Sequence, residues 1–185
     1  MSRIFLTLCG LGNLLLITAF AVGLPIDDPR IADQAIQLQV SRHMLLGLAA
    51  LCFATLVHAL VFTYFMGTGR WLEETSQAYR LEQHFHQRNQ RTKYRLLPGI
   101  VGSFLLMLAT GALGAAADPG SPVQFTGWWG IPAATWHRGC ALLTIVANLA
   151  QSYLEFLALY ENGEIVQAVL SEVRRIRIEK GLAVD

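Results

Sequence analysis

Charge is scarce in this sequence. Only 15% of the 185 residues are Asp, Glu, Lys or Arg, whereas 54% are hydrophobic. A soluble domain of this length usually carries about 25% charged residues. The shortage argues against an ordinary soluble domain, and a net charge of +1 gives no sign of a surface that binds nucleic acid.

The signatures of common enzymes are also lacking. The sequence contains no HExxH, no GxSxG, no P-loop and no dinucleotide-binding fingerprint. Its three cysteines, Cys9, Cys52 and Cys140, form no CxxC pair and lie in or beside apolar runs, which excludes a disulfide framework. The sequence therefore favours a non-catalytic membrane subunit or an electron carrier over an enzyme.

Apolar residues are concentrated in four long runs that are nearly free of charge. A helix of about 20 residues crosses the roughly 30 Å hydrocarbon core of a bilayer. The runs lack the alternation of a membrane β-strand, so helices must satisfy the backbone there. We predict an all-α integral membrane protein, one domain over residues 1–185, with an up-down bundle of four transmembrane helices spanning about residues 4–24, 42–66, 97–117 and 137–160. Helical extensions are expected on the cytoplasmic side, and span two is expected to continue as a helix through Leu81.

Basic residues outside these runs predict the orientation. The connection 67–96 and the tail after Tyr160 hold most of the Arg and Lys residues, and Arg3 precedes the first span. Because positively charged segments stay in the cytoplasm, we expect both termini and the loop 67–96 on the cytoplasmic side, in a bacterial inner membrane. Pro98 is expected in the first turn of the third span.

Two further segments have a predicted structure. Apolar residues recur at helical spacing in the tail after Asn162 and Gly163, which predicts a separate amphipathic helix over residues 164–180. The first outward connection is expected to contain a short helix from Ala32. The second is rich in Pro, Gly and aromatic residues, and its tryptophans suit the outer membrane interface: Trp128, Trp129 and Trp136.

The two halves of the sequence are weakly similar. The segment LGNLLLITAFAVGLPID and the segment VGSFLLMLATGALGAAAD align Gly12 with Gly102. Each is followed by a polar connection, a histidine and a second span. A duplication would give two pseudo-repeated hairpins related by an axis along the membrane normal. Chance similarity between apolar runs is the alternative.

Histidines open two of the predicted spans. His43 begins span two and His137 begins span four, so the two imidazoles are expected at the same outer level. Neutral imidazoles on neighbouring helices can ligate a b-type haem from both sides in a four-helix bundle. We predict His43 and His137 as haem ligands. In one alternative Cys140 joins them in a copper or zinc site, and in another they are interfacial side chains without a cofactor.

A third histidine lies deeper in span two. His58 follows His43 by 15 residues, or about 22 Å along a helix. This spacing resembles the two ligand levels of membrane cytochrome b proteins, but span four has Gln151 and Ser152 where a second haem would need a histidine. We predict instead a buried polar group of His58, Gln151 and Glu155. It would either fix the helix register or carry a proton.

Three functions are compatible with this pattern. The leading hypothesis is a small membrane subunit of a respiratory-type electron-transfer complex, with one haem b between spans two and four. The second is a membrane interaction or assembly protein without a cofactor. The third is a small proton-linked transporter that uses His58 and Glu155. The expected partners are the lipid bilayer and other membrane subunits or further copies of the chain, and no nucleic acid.

Overall fold

Four long helices form almost the whole molecule. The computed structural model describes residues 2–26, 33–118, 120–123 and 125–183, and 86% of them are helical. All four helices are long and apolar enough to cross a membrane, which confirms the predicted number of span-length helices. The helices are α1 (Ser2–Gly23), α2 (Gln34–Tyr79), α3 (His84–Ala117) and α4 (Ala133–Glu179).

Three of these helices extend far beyond the predicted spans. α2 has 46 residues and α4 has 47. The connection 67–96 is helical apart from residues 80–83, and α2 runs to Tyr79, close to the predicted end of the extension at Leu81. The tail 164–180 is helical over most of its length, but it is not a separate helix, because α4 continues through Asn162 and Gly163 to Glu179. The side chain of Asn162 is fully buried between helices instead of ending one.

Pro98 lies inside α3 rather than in its first turn. A proline there cannot donate the hydrogen bond that a helical N–H gives to the carbonyl four residues earlier, at Tyr94. The helix persists because its neighbours pack tightly. Leu96 belongs to the main apolar core, and Gly99 lies directly against the side chain of Gln151.

The ends of α2 are set by two local features. Asp33 precedes the helix, and its Oδ1 accepts hydrogen bonds from the backbone N–H groups of Ala35 (2.8 Å) and Ile36 (3.3 Å). This is the usual chemistry of a helix N-cap. Ala32, where a short helix was predicted to begin, lies outside the described residues. At the other end Arg80 adopts a left-handed conformation with φ of 56° and ends the helix.

A small hairpin adds β-structure that the all-α prediction missed. Strands β1 (Gly127–Trp128) and β2 (Ile131–Pro132) are antiparallel. The turn residues Trp129 and Gly130 both have positive φ, 52° and 75°, as a tight two-residue hairpin turn requires. Strands of two residues are too short to show a periodicity in the sequence.

Side-chain contacts define how the helices pair. Residues near the end of α1 lie against residues near the start of α2, as Gly23 does against His43. The same relation holds between α3 and α4, where Gly114 lies against His137. The aligned glycines Gly12 and Gly102 have different surroundings: a Cβ added to Gly12 would lie 3.4 Å from the ring of Phe53 in α2, whereas one added to Gly102 would meet nothing described within 4 Å.

The interior is unusually polar and the exterior unusually apolar. The main core contains Phe5, Val61 and Phe65, yet Glu155 and Asn162 are also fully buried. Large apolar side chains cover the outside of the helices instead, and several are more than half exposed: Leu14, Leu45, Leu48, Leu105, Leu108 and Val146.

Candidate functional site

A cavity of about 390 Å³ lies between the four helices, near the ends of α1 and α3 and the starts of α2 and α4. Cavities of roughly 300–1,000 Å³ are typical of sites for small molecules and cofactors. His43 and His137 line this space, which we call the histidine cavity. Much of its wall is made of small residues from all four helices, including Ala19, Gly23, Gly47, Ala50, Gly111 and Gly114.

The two histidine rings meet in this cavity. Their centroids are 5.9 Å apart and their planes are inclined by 75°. Nδ1 of His43 lies 3.0 Å from the carbonyl oxygen of Ala19, and Nδ1 of His137 lies 3.2 Å from that of Thr110. Because a carbonyl oxygen can only accept, each Nδ1 donates its hydrogen. In a neutral imidazole Nε2 then keeps the lone pair that can bind a metal.

Two glycines let the rings take these positions. A Cβ added to Gly23 would lie 2.6 Å from Cε1 of His43, and one added to Gly114 would lie 2.9 Å from Cε1 of His137. Side chains are therefore excluded at both places. The same three-part unit therefore occurs twice. In each copy a glycine and a backbone carbonyl of one helix contact the histidine of the following helix.

The dimensions fit a cofactor whose metal is ligated from both sides. An imidazole nitrogen binds a metal ion at about 2 Å, which puts two ring centres on opposite sides of one metal about 6 Å apart. The observed separation is 5.9 Å. A backbone carbonyl on the other ring nitrogen is also the usual support of a metal-binding histidine, because it fixes the ring and raises its basicity.

Cys140 is not gathered with the two histidines. Its Sγ lies 3.3 Å from Oγ1 of Thr110, which is also 2.7 Å from Oγ1 of Thr144. Within the described part of the chain no group of three or more His, Cys, Asp or Glu residues is arranged to hold a metal ion. The copper or zinc alternative therefore lacks its third ligand among those residues.

His58 lies in a different environment, deeper along α2. Its Nδ1 is 2.7 Å from Oε1 of Glu155, and its Nε2 is 2.9 Å from Oδ1 of Asn148. Nε2 of Gln151 donates to the same Glu155 oxygen at 3.1 Å. The structure thus brings together the three residues of the predicted polar group, His58, Gln151 and Glu155, and adds Asn148.

Two further residues extend this group. Asn148 donates to Oδ1 of Asn13 at 2.8 Å, and Nδ2 of Asn13 is 3.4 Å from Oγ of Ser152. We call the six residues the Glu155 cluster. Asn13 was not predicted as a member. The available signal was its place as the only strongly polar side chain within the first apolar run.

The hydrogen bonds of His58 show where protons lie in the Glu155 cluster. Oδ1 of Asn148 can only accept, so Nε2 of His58 carries a hydrogen. One more proton is shared between Nδ1 of His58 and Oε1 of Glu155, and the pair has no net charge wherever that proton lies. The space beside His58 leaves no room for a water molecule. This geometry suits a locked interhelical contact better than a conducting path.

A third polar group lies beyond the apolar core, among the helix extensions. Nδ2 of Asn89 donates to Oδ1 of Asn162 at 2.6 Å, and Nδ2 of Asn162 donates to Oγ1 of Thr68 at 3.1 Å. Asn89 and Asn162 are fully buried. This group was not predicted, because the Asn162-Gly163 pair has the composition of a helix end.

Comparison with known proteins assigns no family to this chain. No protein-family model matches it, and no curated protein or solved structure matches it either. The fold itself defines a class: a four-helix protein whose helices have the length and apolarity of membrane spans. Any narrower function has to be inferred from the histidine cavity and the Glu155 cluster.

Proposed function

We propose that this protein is a small electron-transfer subunit of a membrane, with one b-type haem bound in the histidine cavity between His43 and His137. The observation that carries the proposal is the convergence of the two rings at 5.9 Å beside a cavity of about 390 Å³. Bis-histidine ligation between facing helices of a four-helix bundle is a known way to hold such a cofactor.

The membrane part of the proposal is supported by the distribution of polarity. Leu45 is 70% exposed and Leu48 is 62% exposed, whereas Glu155 is fully buried. Apolar surface on this scale needs a lipid or protein partner. We propose an up-down bundle across a bacterial inner membrane, with both termini and the basic extensions of α2, α3 and α4 in the cytoplasm, because Arg-rich segments stay on that side.

Each part of the cavity has a role in this proposal. His43 and His137 would be the axial ligands, and the carbonyls of Ala19 and Thr110 orient their rings. The small residues of the wall provide room, and its apolar character excludes water. A haem held there would supply one-electron oxidation and reduction.

The contacts of His58 in the Glu155 cluster support a proposal of one cofactor rather than two. Both nitrogens of His58 are already bonded to side-chain oxygens, and the adjacent space is too small for a water molecule. A chain with one haem at one end of the bundle needs partner subunits to receive or pass on electrons. A proton-linked transporter would need water access to Glu155, which this packing opposes.

An absorption spectrum of the purified protein tests the proposal. Protein produced with an adequate haem supply should show a strong Soret band, and protein purified without haem should gain that band when haemin is added. His43→Ala and His137→Ala should each abolish the six-coordinate spectrum because each removes one axial ligand. His84→Ala is the matched control, since His84 is exposed and lies at the far end of the molecule.

One result would overturn the proposal. If folded wild-type protein stays colourless and takes up no haemin, the histidine cavity is not a haem site. A membrane interaction protein without a cofactor would then explain the fold better.

A further inference from the structure

The two halves of the histidine cavity hold their histidines in the same way but differ in charge. Each half contributes a glycine, a backbone carbonyl and a histidine in the same arrangement. The residue after His43 is Met44, and the residue after His137 is Arg138. Both line the cavity, so one half presents an uncharged thioether where the other presents a permanent positive charge.

Arg138 is held in place but not neutralised. One of its guanidinium nitrogens, Nη2, donates to the carbonyl oxygen of Ile26 at 2.8 Å. A guanidinium has five N–H donors, so most of them are left for another acceptor. Among the described residues no carboxylate lies within 4.0 Å of its nitrogens. The half-buried Arg138 therefore keeps an unpaired charge at the cavity wall.

The other charged residue in the described cavity wall has the opposite sign. Asp118 ends α3, and its Oδ1 accepts a hydrogen bond from the backbone N–H of Gly120 at 2.9 Å. An acidic group of a ligand is repelled from this carboxylate and attracted to Arg138. Both charged residues belong to the α3–α4 half, so the two halves differ in charge although their histidines are held alike.

We infer that Arg138 binds the carboxylate edge of the ligand in the histidine cavity, and that the difference between Arg138 and Met44 decides which way round that ligand lies. This inference rests on the proposed function. Haem carries two carboxylates on one edge, and Arg matches a carboxylate with two parallel charge-assisted hydrogen bonds. The two histidines alone would accept the porphyrin in either of two orientations that exchange the two halves of the cavity.

Competition between two forms of the cofactor tests this inference. Haem-free protein in detergent is titrated with haemin and with haemin dimethyl ester, in which both carboxylates are blocked. The wild type should bind haemin at least about tenfold more tightly, as expected for a hydrogen bond to a charged group. Arg138→Gln should bring that ratio close to one and leave the affinity for the ester unchanged.

Two further variants serve as controls. Met44→Gln should keep the wild-type ratio, because it introduces no charge in the matching half-site. Arg138→Lys keeps the positive charge and should retain part of the preference for haemin over the ester. This variant provides a second test in case Arg138→Gln folds poorly.

The exchange variant Met44→Arg/Arg138→Met tests the orientation directly. It moves the charge to the other half-site, so it should restore the preference for haemin and turn the porphyrin round. The circular dichroism of the Soret band should change accordingly.

The possible failures are distinguishable. Absence of any haemin or ester binding contradicts the proposed function. Equal binding of haemin and ester by the wild type contradicts only this inference. If Arg138→Gln weakens both ligands equally, Arg138 is a structural tie to Ile26 and the inference is likewise overturned.

Discussion

The histidine cavity and the Glu155 cluster use the same helices but employ histidine in opposite ways. In the cavity each ring donates its Nδ1–H to a backbone carbonyl, and both histidines line a cavity of about 390 Å³. In the cluster both nitrogens of His58 contact side-chain oxygens, without room for a water molecule. Burial therefore does not separate a candidate ligand from a structural histidine here. The two kinds of histidine differ instead in whether side-chain oxygens contact both ring nitrogens and in whether the residue lines a cavity.

The two sites also differ in symmetry. The cavity repeats one unit in both hairpins, whereas the cluster has no counterpart. Fifteen residues after His43 comes His58, but fifteen residues after His137 comes Ser152. Bis-histidine ligation uses two equal donors, so a symmetric arrangement suits it. An acid–base contact needs unlike partners, so the histidine comes from α2 and the carboxylate from α4.

The largest expected effect comes from breaking the cavity at a glycine. Gly114→Ala puts a Cβ 2.9 Å from Cε1 of His137 and forces that ring to turn. Misplaced support of a metal ligand costs about 10–100-fold in affinity, so haemin binding should weaken by at least about tenfold in a spectroscopic titration. Gly139→Ala is the control, because nothing described lies within 4 Å of its Cβ position. Equal affinity of the two variants would contradict this account of Gly114.

A second experiment breaks the Glu155 cluster instead. Glu155→Leu leaves Nδ1 of His58 and Nε2 of Gln151 without a hydrogen-bond partner, and a buried unsatisfied group costs about 1–3 kcal/mol. The free energy of unfolding in mixed micelles should fall by that amount. In a double-mutant cycle with His58→Leu the coupling should be on the order of 1 kcal/mol.

A milder variant at Glu155 tests whether the two sites are independent. Glu155→Gln should leave the haemin spectrum and affinity unchanged, because the cluster has no part in ligation. Loss of the Soret band in Glu155→Gln would show that the sites are coupled and would contradict the separation drawn here.

A smaller effect is expected in the polar group of the helix extensions. A Cβ on Gly69 would lie 2.6 Å from Oδ1 of Asn89, whereas one on Gly67 has nothing described within 4 Å. Replacing a helical glycine by alanine stabilises by up to about 1 kcal/mol when no contact opposes it. Thermal unfolding should therefore show a higher Tm for Gly67→Ala and a lower Tm for Gly69→Ala. Shifts of the same sign would argue against the close contact with Asn89.

The smallest effect is expected at the exposed end of α4. Arg175 contacts Glu172 at 2.8 Å and Glu179 at 3.0 Å, and all three side chains are solvent-exposed. Exposed ion pairs contribute little because water and salt screen them. Arg175→Ala should leave both Tm and haemin affinity within experimental error. A marked decrease in Tm would show that this end of α4 is shielded from solvent by a further contact.

Local rules predicted the parts that depend on short stretches of chain. The number of span-length helices follows from apolar runs of sufficient length. The level of His58 against Gln151 and Glu155 follows from the constant rise of a helix, and the structure places them in hydrogen-bond contact. Such rules need no knowledge of the neighbouring helices.

The parts that were missed depend on packing between distant residues. Gly163 and Pro98 have the local preferences of helix ends, yet both lie inside helices because buried neighbours hold the chain there. Asn13 and Asn89 were not recognised as members of polar groups, since the residues that they contact lie far away in the sequence. Their partners are Ser152 and Asn162, 139 and 73 residues away.

What the sequence determined by itself is the set of helices and the depth of each polar side chain along them, because both follow from a helical rise and periodicity that act over a few residues. Only the tertiary structure decided what each histidine faces. The rotation of one helix against another brings a carbonyl, a carboxylate or an open cavity to a given imidazole. That rotation is set by close packing across the whole bundle, including glycines such as Gly23 and Gly114 that leave room for a ring.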